Sequence, residues 1–164
     1  MPASTLAIRP FSDGDAEAIL NVHYSAIHEA IALEYDANTR DEWAPPVNAL
    51  RIERFLHDRE ADGETTLVAT DGGDIVGFAS MVPVKCVLRA VYISPRYWRR
   101  SIGRKLLLAI EELATQEGVP TLHLKSTLSA EAFYRVCGYT KTGDGMHILR
   151  SGRKMACVEM CKRL

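Results

Sequence analysis

The sequence predicts an α+β domain built on a mixed sheet. Three observations carry this. β-rich runs at 65–70 and 74–82 flank Asp71-Gly72-Gly73, where glycine supplies the positive φ of a tight hairpin turn. Apolar residues recur at helical spacing between Ile19 and Ile31 and again between Ile102 and Leu113. The element order (strand, two helices, three strands, helix, strand, helix, strands) mixes hairpins with crossover helices. It does not fit a Rossmann arrangement, which alternates strand and helix from its start.

Residues 6–9 read as a short first strand. Ser12 has the chemistry of a helix N-cap, and Asp13, Asp15 and Glu17 place acids on the first turn, where the helix dipole favours them. Ile19, Leu20, His23, Ile27, Ala30 and Ile31 recur on one face, so this helix is expected to reach about residue 33. Trp43-Ala44-Pro45-Pro46 stops any helix, because proline lacks the donor and restricts the residue before it. A second helix is expected from 48 to about 59. Beyond the hairpin, 86–93 is another β-rich run, ending at Ser94-Pro95. Ile102, Leu106, Ile110 and Leu113 share one face of a helix that Gly118 and Pro120 terminate. Residues 121–125 read as a short strand and 129–137 as a short helix closed by Gly138. Residues 139–141 and about 154–161 are the two final strands.

Residues 1–164 read as one continuous domain, without repeat, linker or low-complexity stretch. A chain of 164 residues buries roughly 70% of its unfolded surface and needs no staples. Its 47% apolar and 25% charged residues are ordinary globular values, which excludes disorder, collagen and coiled coil as the main reading. No apolar run approaches the roughly 18 residues of a membrane span. Residues 1–10 lack the basic-then-apolar pattern of a secretory signal. A cytoplasmic location and no membrane partner are therefore expected. Twenty basic against twenty-one acidic residues give a net charge of −1. A general nucleic-acid binder is basic overall, so no nucleic acid is expected and any anion site must be a local patch. Cys86, Cys137, Cys157 and Cys161 form no C-x-x-C pair and have no histidine at zinc-ligand spacing. They read as small core or strand residues, and no metal is expected.

The informative segment is 91–107. A strand passes through Arg96-Tyr97-Trp98-Arg99-Arg100-Ser101 into a helix that opens on Ile102-Gly103-Arg104-Lys105. Cations at a helix N-terminus are normally unfavourable, because unpaired N–H groups already make it partly positive. A bound anion resolves the conflict: phosphate oxygens accept the N–H groups and face the guanidinium groups. Gly103 lets the backbone approach those oxygens.

This segment resembles motif A of the GNAT N-acetyltransferase superfamily, Q/R-x-x-G-x-G/A, here Trp98-Arg99-Arg100-Ser101-Ile102-Gly103. The last glycine matches, while Ser101 and Trp98 replace the first glycine and the leading Q/R. Positive φ at Ser101 costs about 1 kcal/mol or more, so the loop is expected to avoid it. A second block, residues 126–139 with Ala130, Phe133-Tyr134 and Gly138-Tyr139, is similar to the family's A-x-x-F-Y-x-x-x-G-F/Y. The closing Met160-Cys161-Lys162-Arg163-Leu164 resembles its last strand. The Ile8-Arg9 strand, the long helix and Trp43-Ala44-Pro45 resemble a bacterial YafP-like subgroup. The resemblance covers nearly the whole chain.

It implies a GNAT fold, a mostly antiparallel central sheet of about seven strands flanked by about four helices. It also implies an acyltransferase that moves acetyl from acetyl-coenzyme A to a primary amine of a small molecule or peptide. Attack is direct, in a ternary complex. The pyrophosphate would lie on the N–H groups and side chains of Arg99, Arg100, Ser101, Ile102, Gly103, Arg104 and Lys105. The pantetheine arm would run along Val91, Tyr92 and Ile93 like an added strand, beside Ser129, Phe133 and Tyr134. Tyr134 matches the family's tyrosine that protonates the departing thiolate. The acid-rich stretch 28–42 would lie over the acceptor, with Glu29 and Glu34 relaying the amine's proton through water. His28, Tyr35 and Trp43 would line its pocket. The last strands allow a homodimer.

Two other readings stay open on sequence alone. One is a catalytically silent GNAT-fold module that binds or senses acyl-coenzyme A. The other is a nucleotide- or nucleic-acid-binding module using the Arg96–Lys105 patch alone, against which the near-neutral charge counts.

Overall fold

The computed structural model describes residues 5–31 and 33–164. Its elements are β1 (Ala7–Pro10), α1 (Ala16–Ser25), α2 (Ala37–Trp43), α3 (Ala49–Asp62), β2 (Thr65–Asp71), β3 (Asp74–Val82), β4 (Val87–Ile93), α4 (Ile102–Gln116), β5 (Thr121–Ser126), α5 (Glu131–Val136), β6 (Thr140–Ile148) and β7 (Lys154–Arg163). The seven strands form one sheet in the order β1-β2-β3-β4-β5-β7-β6. Every neighbouring pair is antiparallel except β4–β5.

Local chemistry explains the boundaries. α1 stops as an α-helix at Ser25, continues as a π-helical turn over Ala26–Ala30 and ends at Ile31, short of the expected reach to residue 33. A π-turn mid-path often marks a functional region, because it offsets the side chains on either side. α2 was not expected from the sequence. It is a short polar helix started by Asp36, whose carboxylate accepts from Thr39 N–H at 2.7 Å. Asn48 caps α3 through Arg51 N–H at 2.9 Å, and Gly63 ends it in the left-handed region at φ 65°. β6 runs far beyond the expected 139–141, because Gly143 and Gly145 dilute an alternation that pairing with β7 nonetheless sustains.

The sheet is covered on both faces. Leu106, Leu107, Ile110 and Ala114 of α4 pack on Ala69, Ala79, Met81, Leu122 and Met160. On the opposite face Ile19 and Val22 of α1 meet Val68 and Phe78. A bulge between Ser80 and Met81 leaves Arg89 of β4 without a ladder partner on β3. Gly77 permits the closest approach. A Cβ there would lie 2.6 Å from Ile93 Cδ1 and 3.0 Å from Tyr92 O, so no side chain fits between β3 and β4 at that point.

Acid in the first turn works through a specific pair. Asp15 accepts both Arg9 guanidinium nitrogens, at 2.7 and 2.9 Å, and Ser12 N–H at 2.8 Å. The Arg9 hydrogen bonds hold its carboxyl down at about 2. The folded state therefore binds this proton less readily than the unfolded chain. The pair's contribution is full above about pH 4 and is lost as pH falls toward 2. Asp15→Asn is expected to cost about 1–2 kcal/mol at neutral pH, a figure discounted for the solvent-exposed guanidinium. It should also flatten the stability profile between about pH 4 and pH 2 in urea titrations. A profile as steep as wild type's in that window counts against the pair.

Candidate active site

β4 and β5 pair parallel only at the start of β4, at Val87↔His123, supported by His123 N–H donating to Cys86 O at 2.9 Å. Beyond that point the strands part, while β4 stays paired to β3 as far as Ile93. The half of β4 holding Val91, Tyr92 and Ile93 thus presents one unpaired backbone edge. Val91 and Ile93 pack toward the α4 side, and Ala90 and Tyr92 toward α1.

The loop into α4 begins where that edge ends. Trp98 folds back and donates its indole N–H to Ile93 O at 3.1 Å. Arg99 (φ 61°) and Ser101 (φ 59°) are both left-handed. This corrects the expectation that Ser101 avoids positive φ. Ser101 adopts the conformation that glycine would supply at this motif position, at a cost of about 1–2 kcal/mol. Left-handed residues interleaved in a turn converge successive N–H groups into an anion-binding concavity. Ser101 leaves α4 without a side-chain cap, and no acid occupies the first turn. The N–H groups of Ile102, Gly103 and Arg104 are therefore orphan donors. Arg96, Arg99, Arg100, Arg104 and Lys105 stand exposed around them, and none is in an ion pair among the described residues. Arg100 lies 5.1 Å over the Tyr97 ring. A Cβ at Gly103 would stand 3.5 Å from Phe133 Cζ and 3.7 Å from Ile93 Cγ1, so the helix start, β4 and α5 close on one another there.

On the α1 side the parting strands open into a cavity of about 1190 Å³. Tyr92, Lys125 and Glu159 lie on its sheet wall, Tyr35 and Trp43 at one side, and Arg51 of α3 at another. Contacts from the helical segment to the turn joining β6 to β7 and to the start of β7 bridge it. Tyr35 Oη donates to Ala156 O at 2.7 Å, Glu42 accepts Ser151 N–H at 2.8 Å and Arg153 Nε at 3.4 Å, and Arg150 pairs with Asp58 at 2.7 Å.

Residues 26–139 match the family model described as "Acetyltransferase (GNAT) family". The chain belongs to the GNAT acetyltransferase family. Comparison of the sequence with curated proteins finds no match. A GCN5-related N-acetyltransferase from Rhodopseudomonas palustris is 28% identical with a TM-score of 0.85, over 100% of this chain and 99% of that one. PaiA N-acetyltransferase from Thermoplasma acidophilum, solved in complex with coenzyme A, is 20% identical with a TM-score of 0.78, over 98% and 99%. A phosphinothricin acetyltransferase from Sinorhizobium meliloti, in complex with acetyl-coenzyme A, is 21% identical with a TM-score of 0.73, over 98% and 89%. The seven-stranded, mostly antiparallel sheet with five helices is the GNAT fold, one helix more than the four expected because of α2.

Within this GNAT acetyltransferase the anticipated residues separate into groups. Tyr134 is buried and packs edge-on against Phe133 and Tyr139, at 5.1 and 5.6 Å between centroids. Burial raises its phenol well above the ordinary value of 10, so it stays protonated. Tyr92 is raised in the same way, first by burial and then by the neighbouring Tyr134. Of the acids of 28–42, Glu42, bound to Ser151 and Arg153, lines the cavity. Glu29 is exposed and outside its lining. Glu34 accepts Ser129 N–H at 2.6 Å and the Ser129 hydroxyl, tying the loop after α1 to the segment before α5. Both Glu34 and Ser129 are thereby committed to each other. His28 donates Nε2–H to Ala44 O at 2.8 Å, stacks on Tyr24 and is also absent from the lining. Tyr35 and Trp43 do line it, edge-to-face at 5.8 Å.

Three lining residues carry chemistry that their spacing in sequence does not announce. His23 accepts a hydrogen bond at Nδ1 from Arg51, 3.1 Å away, and packs against Tyr92 and Trp43. A guanidinium only donates, so His23 carries its proton on Nε2. Burial and the Arg51 charge lower its pKa to about 3, keeping it neutral. Glu159 of β7 stands opposite Lys125 in the β5 ladder. Of the carboxylates lining the cavity it is the one outside every ion pair among the described residues. Strand alternation in 154–163 was the available signal for Glu159. Nothing links His23 to Arg51 in sequence.

Proposed function

We propose that the protein is an N-acetyltransferase that moves acetyl from acetyl-coenzyme A to a primary amine of a small molecule or peptide. The observation that carries this is the junction of an unpaired strand edge at Val91–Ile93 with a strained, uncapped and strongly basic helix start at Ser101–Lys105. One feature suits an extended amide-bearing arm, the other a pyrophosphate. The coenzyme supplies an activated thioester. The orphan N–H groups and Arg99, Arg100, Arg104 and Lys105 hold its phosphates, with Gly103 and Phe133 as the floor. A β4 N–H near Tyr92 polarises the thioester carbonyl. The amine nitrogen attacks that carbonyl carbon, the C–S bond breaks, and Tyr134 Oη–H protonates the leaving sulfur. The amine's proton leaves through water toward Glu159, a role that Glu29 and Glu34 do not fill from where they stand. We place this chemistry in a single cytoplasmic domain of the YafP-like bacterial subgroup, working without metal, membrane or nucleic acid. A homodimer is compatible with it.

Calorimetric titration of acetyl-coenzyme A into the purified protein tests the reading. One-to-one saturable binding is expected, weakened at least roughly tenfold when the pyrophosphate half of the ligand is removed. No binding, or indifference to the pyrophosphate, overturns it. Thiol release with an amine separates the enzyme from a silent acyl-coenzyme A sensor, which binds without turnover.

A further inference from the structure

Arg51 is a cation of the cavity wall that no carboxylate accounts for. It projects from the first turn of α3, half-buried, where a charge needs compensation. Its guanidinium donates to Pro45 O and to His23 Nδ1. It has no carboxylate within ion-pair distance among the described residues. Desolvation alone lowers its pKa from the ordinary value, with no anion offsetting it.

Several neighbouring charges are matched, while Arg54 and Arg59 of α3 also line the cavity outside every ion pair among the described residues, Arg54 exposed and Arg59 over the Phe11 ring. Arg89 is held by Asp62 and Glu64, and Arg150 by Asp58. Glu42 is taken by Ser151 and Arg153. Arg51 differs from Arg54 and Arg59 in being held against His23, beside Tyr92, with its remaining N–H groups lacking a protein partner among the described residues. Two contacts fix its plane. Pro45 cannot move far, because proline pins its own backbone. His23 cannot be protonated against Arg51 without placing two cations in contact. A guanidinium so oriented presents a planar fork of N–H donors, the geometry that takes a carboxylate through two parallel hydrogen bonds. It also bears through His23 on Tyr92 of β4, with ring centroids 4.8 Å apart, so the fork sits one side chain away from the proposed thioester site.

We propose that Arg51 is the anion-binding residue of the acceptor subsite, and that the acceptor amine carries a carboxylate: an amino acid or a close analogue. This rests on the acetyl-transfer reading above and names its substrate class. The carboxylate sits on Arg51, Tyr35 and Trp43 flank the carbon skeleton, and the amino group points toward Tyr92. An amine lacking an anion leaves the Arg51 fork unfilled, so an amino acid is held where a polyamine is not.

The test compares matched acceptors with the wild-type protein and acetyl-coenzyme A, with thiol release as the readout. The panel is the protein amino acids, their carboxamides and the corresponding decarboxylated amines. At least one amino acid is expected to react with a kcat/KM roughly tenfold or more above that of both its carboxamide and its decarboxylated amine. In Arg51→Gln that ratio should fall to near one, while acetyl-coenzyme A affinity stays within about threefold of wild type. The wild-type comparison needs no variant, so it stands even if Arg51→Gln fails to fold. Equal rates for acid and carboxamide, preference for the decarboxylated amines, or silence across all amino acids by a protein that binds acetyl-coenzyme A each overturn the proposal. Retention of the preference in folded Arg51→Gln does so too. Failure to bind acetyl-coenzyme A at all marks failure of the acetyl-transfer reading instead.

Discussion

Gly103→Val is expected to lower acetyl-coenzyme A affinity roughly 100-fold, about 3 kcal/mol, while Gly103→Ala stays within about threefold of wild type. The contrast follows from the space at the start of α4. A single Cβ meets Phe133 and Ile93 at 3.5–3.7 Å, ordinary contact. The γ-carbons of valine have no room beyond it unless Phe133 or the first turn of the helix moves. Either movement displaces the orphan N–H groups of residues 102–104, each a charge-assisted donor worth about 1.5–3 kcal/mol to a phosphate. Alanine also has the better helix propensity, so its folded state is not weakened. Titration calorimetry of both variants, with thermal unfolding as a control, checks this. Valine binding as tightly as wild type, or alanine losing as much as valine, removes the phosphates from this helix start.

Elements built on a strong local pattern were legible in the sequence, and contacts between distant elements were not. The Asp71–Asp74 hairpin, the α4 stripe and the start of α3 near residue 48 are decided within a few residues, and the structure has them where the sequence places them. α2 escaped notice because seven largely polar residues show no apolar stripe, and only the Asp36 cap marks it. The crowding of cations at a helix start was readable from the local sequence. The backbone there was not, since a left-handed Ser101 is unfavourable locally and persists only because β4, Trp98 and α4 determine the path on either side. The acids of 28–42 show the opposite error. Their charge suggested attraction for an amine, yet Glu34 and Glu42 are spent joining the helical segment to Ser129, Ser151 and Arg153, more than ninety residues away. Arg51, by contrast, looks in sequence like any solvated arginine. Its distinction is a half-buried seat against Pro45 and His23 with no carboxylate in reach, a property only the folded chain defines.

Tyr134→Phe is expected to lower kcat about 10- to 100-fold and to change the KM for acetyl-coenzyme A by less than about threefold. The lower part of the usual range for a general acid applies, because a thiol of pKa about 8.5 is already a fair leaving group. Phenylalanine keeps the ring that packs on Phe133 and Tyr139. The hydroxyl makes no hydrogen bond among the described residues, so its removal leaves no buried partner unsatisfied, and stability should change by under about 1 kcal/mol. The pH dependence follows from the sign of the burial effect. A phenol raised above 10 holds its proton through the whole neutral and mildly alkaline range. The wild-type kcat should therefore show no alkaline decline from this group below about pH 10. The acidic limb belongs to deprotonation of the amine and should survive in the variant. Steady-state kinetics from pH 6 to 10 on both proteins tests the two statements together. A variant rate within twofold of wild type at every pH reduces Tyr134 to a packing residue of α5. A rate loss together with a matching rise in KM assigns it to holding the coenzyme. Only a loss confined to kcat fits a proton held in a dry pocket, beside Tyr92, for the sulfur that departs.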